Sequence, residues 1–231
     1  ANAAALNFEE NSSFALLINV QDNGAGSLSS QAIATVVLND INEAPEIYNQ
    51  SFTVSENPLV GTPVGTVFST DPDVGQFHTY SILSGNVNSS FAINASSGTI
   101  TISDSVAINF EQNSSFGLIV QVQDNGAGNL SSQALITIIL LDVNEQPSVE
   151  NQSFNVLEFV QNGTEIGTVQ ASDPDSGQIL SYAITAGNIN NAFAINSQNG
   201  IITISNSAAI SYLSNPIFNI MVRVTDNGAG N

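Results

Sequence analysis

Apolar and polar side chains alternate along several stretches of the chain. Apolar residues occupy every second position over residues 116–122, and the same alternation runs over 14–20 and 218–224. Successive side chains of a β-strand point to opposite faces, so this period is typical of a strand with one buried face. Apolar residues at the spacing of a helix do not stand out anywhere. The pattern predicts an all-β chain.

A long internal repeat divides the chain. The segment QDNGAG stands at 21–26 and again at 123–128, and TDNGAG stands at 225–230, always 102 residues apart. DINEAP at 40–45 and TDPDVGQ at 70–76 recur in altered form on the same period. Both chain ends fall inside a repeat, so we expect this sequence to be a segment of a longer tandem array. Self-similarity at a fixed period indicates tandem units, here the last part of a first repeat at 1–45, a complete repeat at 46–147, and a third repeat at 148–231 that lacks its last strand.

The complete repeat contains seven candidate strands. Short apolar or alternating segments, separated by Gly, Asn and Ser turns, predict strands at 52–55, 64–70, 78–84, 91–94, 99–103, 116–123 and 132–141. Seven short strands in about 100 residues are typical of a Greek-key β-sandwich. The Asp-Asn-Gly-Ala-Gly stretch supplies the residues that a hairpin turn requires between the last two strands. The predicted fold is therefore a row of seven-strand β-sandwiches joined end to end.

Composition excludes several classes of function. Lys and Arg together number one, Arg223, against 20 Asp and Glu, and the formal net charge is -19. Such a chain cannot neutralise phosphates, which excludes nucleic acids and anionic membrane surfaces as partners. No apolar run approaches the about 20 residues needed to cross a bilayer, so we expect no direct membrane insertion. Hydrophobic residues still make up 42% of the chain, which is enough for folded cores.

Catalytic chemistry is poorly represented. The chain has a single histidine, His78, and no cysteine, and neither a Gly-x-Ser-x-Gly elbow nor a Ser-His-Asp arrangement is available. Asp71 and Asp73 could in principle form a glycosidase pair, but the acidic residues lie at the repeat ends rather than in a cleft. We therefore predict no enzymatic activity and expect His78 to have a structural role.

Most of the acidic residues occupy positions that are tied to the repeat. In a row of such sandwiches seven carboxylates converge on one junction: Glu56, Glu111, Asp142, Glu145, Asp173, Asp175 and Asp226. Carboxylates about 4 Å apart repel each other by about 1 kcal/mol in water, and by about four times that near a protein surface. The chain has no Lys and its one Arg lies on a strand, so the available counter-charge is a metal ion. Ligands that are all oxygen point to a hard divalent cation, above all calcium.

Five motifs in a fixed order resemble a cadherin repeat, namely FTVSENP at 52–58, DPD at 71–73, INFEQN at 108–113, VQVQD at 120–124 and DVNEQP at 142–147. The resemblance covers the whole chain and implies the cadherin-like, immunoglobulin-like form of the β-sandwich. The short D-P-D-x-G-Q loop and the near absence of Lys and Arg resemble the cadherin-like repeats of large bacterial surface adhesins.

The resemblance implies two sets of calcium ligands. The set between the second and third repeats would comprise Glu56, Glu111, Asp142, Glu145, Asp173, Asp175 and Asp226, with Asn144 offering its main-chain carbonyl. The preceding set would comprise Glu9, Asp40, Glu43, Asp71, Asp73 and Asp124, with Asn42 in the carbonyl role. The upstream glutamate of this preceding set would lie before Ala1.

Departures from the family pattern lower the expected affinity. Asn7 and Asn109, which are counted among the candidate metal ligands of the first and second sets, are amides where the family has the first carboxylate of its D-R-E motif. The linker has Glu in place of Asp. Fewer charged ligands imply about two ions per junction, at an affinity near the about 10⁻⁴ to 10⁻³ M of extracellular modules. In the third repeat Leu213 stands where the motif's glutamate would be, so the next junction is expected to bind calcium poorly.

The predicted function is that of an extracellular stalk, in which calcium between the repeats stiffens a bacterial cell-surface adhesin. Neighbouring repeats of the same chain, and other copies of it, are the expected partners. A structural filament or matrix fibre built from the repeats is an alternative. A carbohydrate-binding accessory module is a second alternative, which the absence of Trp and the four Tyr residues disfavour.

Overall fold

The computed structural model describes residues 6–229 as strands joined by short loops and turns. The chain divides into two compact units, a first unit up to Leu141 and a second unit from Asp142. No helix among the described residues is long and apolar enough to span a membrane. Each unit is built from antiparallel strand pairs, and the first unit adds one parallel pair.

A β-hairpin opens the first unit. Strands β1 (Ser13–Gln21) and β2 (Ser29–Val37) pair antiparallel along their whole length. The carboxylate of Asp22 closes the turn by accepting the N–H groups of Gly24 at 3.1 Å and Leu28 at 3.2 Å. The hairpin predicted around the Asp-Asn-Gly-Ala-Gly stretch is therefore confirmed. The buried face predicted from the alternation over 14–20 was wrong, because Leu16, Ile18 and Val20 are exposed.

The middle repeat forms a two-layer β-sandwich. Its strands are β3 (Glu46–Ile47), β4 (Gln50–Ser55), β5 (Pro63–Thr66), β6 (Ser69–Thr70), β7 (Thr79–Ser84), β8 (Phe91–Ile93), β9 (Thr99–Ile102), β10 (Ser115–Gln123) and β11 (Ser131–Leu141). One sheet has the order β4-β11-β10-β7, with β4 and β11 parallel. Strands β5, β9 and β8 form a second sheet, and β3 pairs with β6. A short 3-10 turn at Val87–Ser89 precedes β8.

The alternation of β10 and β11 produces the core of the middle repeat. Leu118, Val120 and Val122 of β10, like Ile136 and Ile138 of β11, have no exposed surface. Fully burying an aliphatic side chain of this size contributes about 1.5–3 kcal/mol relative to leaving it in water. The inward face predicted for β10 is confirmed.

The single strand predicted at 64–70 was wrong, because the chain forms β5 and β6 with a break between them. The break lies at Phe68, whose N–H donates to the side-chain Oε1 of Gln50 at 3.0 Å. Gln50 Nε2 donates to the Phe68 carbonyl at 2.9 Å, so this side chain takes the place of a neighbouring strand. The two-residue strand β3, which pairs with β6, was not predicted either.

The second unit repeats the pattern of the middle repeat in part. Its strands are β12 (Ser148–Val149), β13 (Glu165–Thr168), β14 (Ala171–Ser172), β15 (Ser181–Ala186), β16 (Phe193–Ile195), β17 (Ile201–Ile204) and β18 (Met221–Thr225), and short 3-10 turns lie at Ile189–Asn191 and Ser207–Ala209. The pairs are β12-β14 and β15-β18, beside the sheet β13-β17-β16. The side chain of Gln152 donates to the Gln170 carbonyl and accepts its N–H. The side chain of Gln50 bonds the main chain of Phe68 in the same way.

A separate core fills the second unit. It contains the buried side chains of Val169, Phe193, Ile202 and Ile204. Strand β18 pairs with β15 and carries the exposed Arg223 opposite Ala183. The alternation over 218–224 predicted a longer strand, but residues 217–220 have no partner strand in the described part of the chain.

Candidate metal centre

Four carboxylates meet in the first unit. Glu9 lies in the turn before β1, Asp40 and Glu43 lie in the linker between β2 and β3, and Asp73 lies in the loop after β6. Each offers one carboxylate oxygen, and these oxygens all lie within 4.8 Å of one another. Asp73 is buried and the other three are exposed, so the group opens to water on one side. We call these residues the four-carboxylate group.

Negative charge is crowded in this group. The pKa of Glu43 is raised above its ordinary 4.5, first by partial desolvation and then by the charges of Glu9, Asp73, Asp40 and Asp71. The one residue of the Lys and Arg type, Arg223, belongs to the second unit. The first unit therefore has no Lys or Arg with which to compensate the group.

The linker that carries two of these carboxylates is fixed by side chains of neighbouring loops. Glu43 donates its main-chain N–H to Asp73 Oδ2 at 2.9 Å. Asn42 donates from Nδ2 to Asp124 Oδ2 at 3.1 Å and accepts from Gln76 Nε2 at 2.6 Å. The Asn42 amide is thus engaged within the loops. Asp124 also accepts from the main chain of its own turn, so both its oxygens have hydrogen-bond donors.

The two aspartates of the D-P-D loop have different surroundings. Asp71 Oδ1 accepts the main-chain N–H of Asp73 at 2.9 Å, which shapes the loop. Asp71 Oδ2 is buried without a hydrogen-bond partner and lies 3.4 Å from His78 Nε2. Of the residues predicted for the first set, Glu9, Asp40, Glu43 and Asp73 are brought together, whereas Asp71 and Asp124 lie outside the group.

The amides that replace family carboxylates cap local turns. Asn7 Oδ1 accepts the N–H of Glu10 at 2.9 Å, and Asn109 Oδ1 accepts that of Gln112 at 2.8 Å. These bonds hold the turns that carry Glu9 and Glu111. Glu56 is 3% exposed and accepts the N–H of Phe110 at 2.8 Å.

The second predicted set is divided between the units. Glu56, Asn109 and Glu111 belong to the first unit, and the remaining members belong to the second unit, namely Asp142, Asn144, Glu145, Asp173, Asp175 and Asp226.

Inside the second unit the bonding of the first set is repeated. Glu145 donates its N–H to Asp175 Oδ2 at 2.8 Å, and the Asp175 N–H donates to Asp173 Oδ1 at 2.9 Å. Asn144 Nδ2 lies 3.4 Å from Asp226 Oδ1, which it contacts as a donor. Two copies of one local arrangement therefore occur in the chain.

The donor atoms fit a hard divalent cation. The four-carboxylate group offers only oxygen, which is the ligand that Ca²⁺ prefers. Asp173 Oδ2 is buried without a hydrogen-bond partner, and such an atom is rare in folded proteins unless an ion or water satisfies it. A bound cation would neutralise the four-carboxylate group, and a cation at the equivalent place in the second unit would give Asp173 Oδ2 a partner.

Three residues beside these carboxylates and their linkers were not predicted from the sequence, namely Gln76, Gln178 and His78. Gln76 and Gln178 bond the linker amides of Asn42 and Asn144, and their recurrence in the D-P-D-x-G-Q motif was the available signal. His78 lies beside Asp71, but Leu180 occupies the equivalent position one period later, so the repeat gave no indication of its importance.

The chain matches the family described as "Cadherin domain" over residues 50–141 and again over 152–231. It is 31% identical over 232 residues to cadherin EGF LAG seven-pass G-type receptor 3 of Mus musculus. It is 33% identical over 232 residues to the protocadherin-like wing polarity protein stan of Drosophila melanogaster. Both alignments cover 96% of this chain, but only 7% and 6% of the respective relative.

Solved cadherin structures have the same fold. A protocadherin gammaB7 EC3-6 cis-dimer structure superposes with a TM-score of 0.70 at 26% identity, covering 96% of this chain and 57% of that one. Mouse cadherin-23 EC22-24 gives a TM-score of 0.69 at 26% identity, with 96% and 72% covered. The repeats, the sandwich and these matches agree. The chain is a tandem of cadherin domains and belongs to the cadherin family.

Proposed function

We propose that this chain is a calcium-binding extracellular repeat segment, in which ions held by the acidic linkers stiffen the array. The observation that carries the proposal is the four-carboxylate group, whose oxygens lie within 4.8 Å of one another. No Lys or Arg of the first unit is available to neutralise them. A divalent cation is the remaining way to compensate such crowding at neutral pH.

Calcium suits the group better than a transition metal does. Ca²⁺ takes about 6–8 oxygen ligands, including carboxylates, main-chain carbonyls and water. Glu9, Asp40, Glu43 and Asp73 supply the charged ligands of the group, and the main-chain carbonyl of Asn42 supplies a neutral one. Asp71, whose charge acts on Glu43, and Asp124 are proposed as further ligands beside the group. The open side of the group leaves positions for water. We propose about two ions, bound at the about 10⁻⁴ to 10⁻³ M typical of extracellular modules.

We propose the second ligand set on the strength of the repeat. Glu111, Asp142, Glu145 and Asp175 follow the four-carboxylate group by 102 residues, and Asp173 and Asp226 follow Asp71 and Asp124 in the same way. Glu56 and the carbonyl of Asn144 complete the proposed set. The repeated hydrogen bonds of the linker support this assignment.

At the level of the cell, we propose that the segment is a spacer in a surface adhesion protein. One relative named above is described as a cadherin receptor and another as a protocadherin-like wing polarity protein, and a solved relative is described as a cis-dimer. Contact with other copies is therefore part of the proposal. The further assignment to a bacterial adhesin rests on the near absence of Lys and Arg.

Two adjacent glutamates provide the test of calcium binding. Glu9 belongs to the four-carboxylate group, and Glu10 follows it in the same turn but lies outside the group. We expect Glu9→Gln to weaken calcium binding about tenfold by calorimetric titration, because it removes a charged ligand. Glu10→Gln changes the net charge equally and should bind like wild type. Equal affinities for the two variants, or no binding by the wild type, would overturn the proposal.

Stiffening needs a separate measurement. We expect small-angle scattering of the wild type to give a narrower distribution of dimensions in millimolar calcium than in chelator, because bridging ions restrict the linkers. Glu9→Gln should broaden that distribution at the same calcium concentration. A wild-type curve that calcium leaves unchanged would mean that the carboxylates mainly solubilise the chain.

A further inference from the structure

We propose that His78 is a positioning residue that orients Asp71 for the cation of the first ligand set. This inference rests on the proposed calcium site. It gives a role to the single histidine of the chain, which sequence reasoning treated as structural only. His78 would act through Asp71 and would not itself bind the ion.

A chain of hydrogen bonds fixes the His78 ring. Tyr80 Oη lies 2.7 Å from Ser69 Oγ, which lies 2.8 Å from His78 Nδ1. The other ring nitrogen, Nε2, lies 3.4 Å from Asp71 Oδ2. A carboxylate only accepts hydrogen bonds when it is ionised, so Nε2 must carry a proton to face it favourably. In the neutral ring Nδ1 is then the acceptor, with the Ser69 hydroxyl as its donor.

The contact between His78 and Asp71 is sheltered from water. The two side chains are 15% and 6% exposed, and neither Nε2 nor Oδ2 has a hydrogen-bond partner elsewhere among the described residues. An interaction between a donor and a carboxylate is stronger in such surroundings than in bulk water. A carboxylate oxygen has two lone pairs, so the 3.4 Å contact with His78 Nε2 leaves Asp71 Oδ2 able to coordinate a cation.

The second unit provides an internal comparison. Its D-P-D loop is shaped by the same bond, from Asp175 N–H to Asp173 Oδ1 at 2.9 Å. Leu180 stands in place of His78 and Ala171 in place of Ser69, and Asp173 Oδ2 is buried without a hydrogen-bond partner. The two D-P-D loops therefore differ at Oδ2 of the first aspartate. His78 Nε2 faces Asp71 Oδ2, whereas the leucine in the second unit offers Asp173 Oδ2 no donor. Residues that orient a metal ligand commonly change metal affinity by about 10–100-fold when they are lost.

Substitution of His78 by the residue at the equivalent position tests the proposal. We expect His78→Leu to weaken calcium binding to the first set by about tenfold in calorimetric titration. His78→Gln can place an amide N–H near the position of Nε2 and should restore most of the affinity. Thermal unfolding of both variants in chelator reports whether they fold. If the loss of affinity came only from disturbed packing, His78→Leu and His78→Gln would both lose it. Recovery in His78→Gln alone therefore identifies the N–H donor as the cause.

A second readout begins with the calcium-free protein. The chain has one histidine, so its imidazole nitrogen signals in an NMR spectrum are unambiguous. We expect the calcium-free protein to show the tautomer protonated at Nε2, and calcium to shift the Nε2 signal through Asp71. Contact with Asp71 Oδ2 requires the Nε2-protonated tautomer, so the spectrum of the calcium-free protein tests the contact itself.

The outcomes separate the two proposals. If the wild type binds no calcium, both the proposed function and this inference fail. If the wild type binds calcium and His78→Leu binds it equally or more tightly, only the role of His78 is overturned. The Nδ1-protonated tautomer in the calcium-free protein would overturn that role by itself.

Discussion

Glu43 is the residue whose protonation reports the crowding of negative charge in the first unit. Its pKa is raised above 4.5, first by partial desolvation and then by the surrounding acidic side chains. A carboxyl with a raised pKa in the folded state contributes stability below its unfolded pKa and loses that contribution as the pH rises through the folded value. Glu43 therefore opposes folding of the calcium-free protein at neutral pH.

Calcium should reverse this shift. We expect the pKa of Glu43, followed by NMR of its side-chain carbonyl carbon, to fall when calcium is added, because a cation stabilises the charged form. Glu46 stands outside the four-carboxylate group and provides a control in the same spectrum. A pKa of Glu43 that is the same in calcium and in chelator would contradict its assignment as a ligand.

At the residue level, the sequence predicted which carboxylates lie close together better than it predicted the surroundings of each one. Spacing identified Glu9, Asp40, Glu43 and Asp73, because these positions recur with the repeat. It did not separate them from Asp71, which is adjacent in sequence to Asp73 but faces His78. That distinction depends on how a loop folds against a neighbouring strand, which composition and period do not encode.

At the level of elements, alternation was a sound guide wherever one face of a strand is buried. Strand β10 follows it, with every second residue from Phe116 to Val122 buried. It failed at β5 and β6, where the break depends on a hydrogen bond from Gln50, 18 residues earlier in the chain. A side chain that replaces a neighbouring strand leaves no periodic signal in the segment it interrupts.

Two adjacent isoleucines of β11 test the importance of the inward face. Ile138 has no exposed surface, whereas Ile139 is 41% exposed. We expect Ile138→Ala to lower the free energy of unfolding by about 2–5 kcal/mol, through lost burial and the cavity that remains. Ile139→Ala should cost less than about 1.5 kcal/mol. Urea unfolding of the two variants makes the comparison, and equal losses would contradict the assigned faces.

The Gln50 bond offers a second test at this scale. We expect Gln50→Ala to cost about 0.5–1.5 kcal/mol in urea unfolding, because the N–H and carbonyl of Phe68 exchange this partner for water. Gln133 lies exposed on β11, so Gln133→Ala is a matched control with an expected change below about 0.5 kcal/mol. A Gln50 variant as stable as this control would mean that water replaces the side chain without cost.

For the whole molecule, the two units have separate hydrophobic cores. Independent cores unfold as separate cooperative blocks unless something couples them. We expect calorimetry in chelator to show two transitions, and calcium at about 100 times its dissociation constant to stabilise a binding unit by about 2.7 kcal/mol. Magnesium at the same concentration is the control. It screens surface charge as calcium does, but it requires a tighter octahedral geometry and should bind the site less well. Transitions that calcium does not move would contradict specific binding.

The single Arg223 has a consequence for digestion. Proteases of the trypsin class cut only after Lys or Arg, and this chain offers them one such residue. Arg223 lies within β18, paired with β15, so cleavage there requires the strand to open locally. The same composition that leaves the carboxylates without a cationic side chain thus removes nearly every point at which such an enzyme could attack.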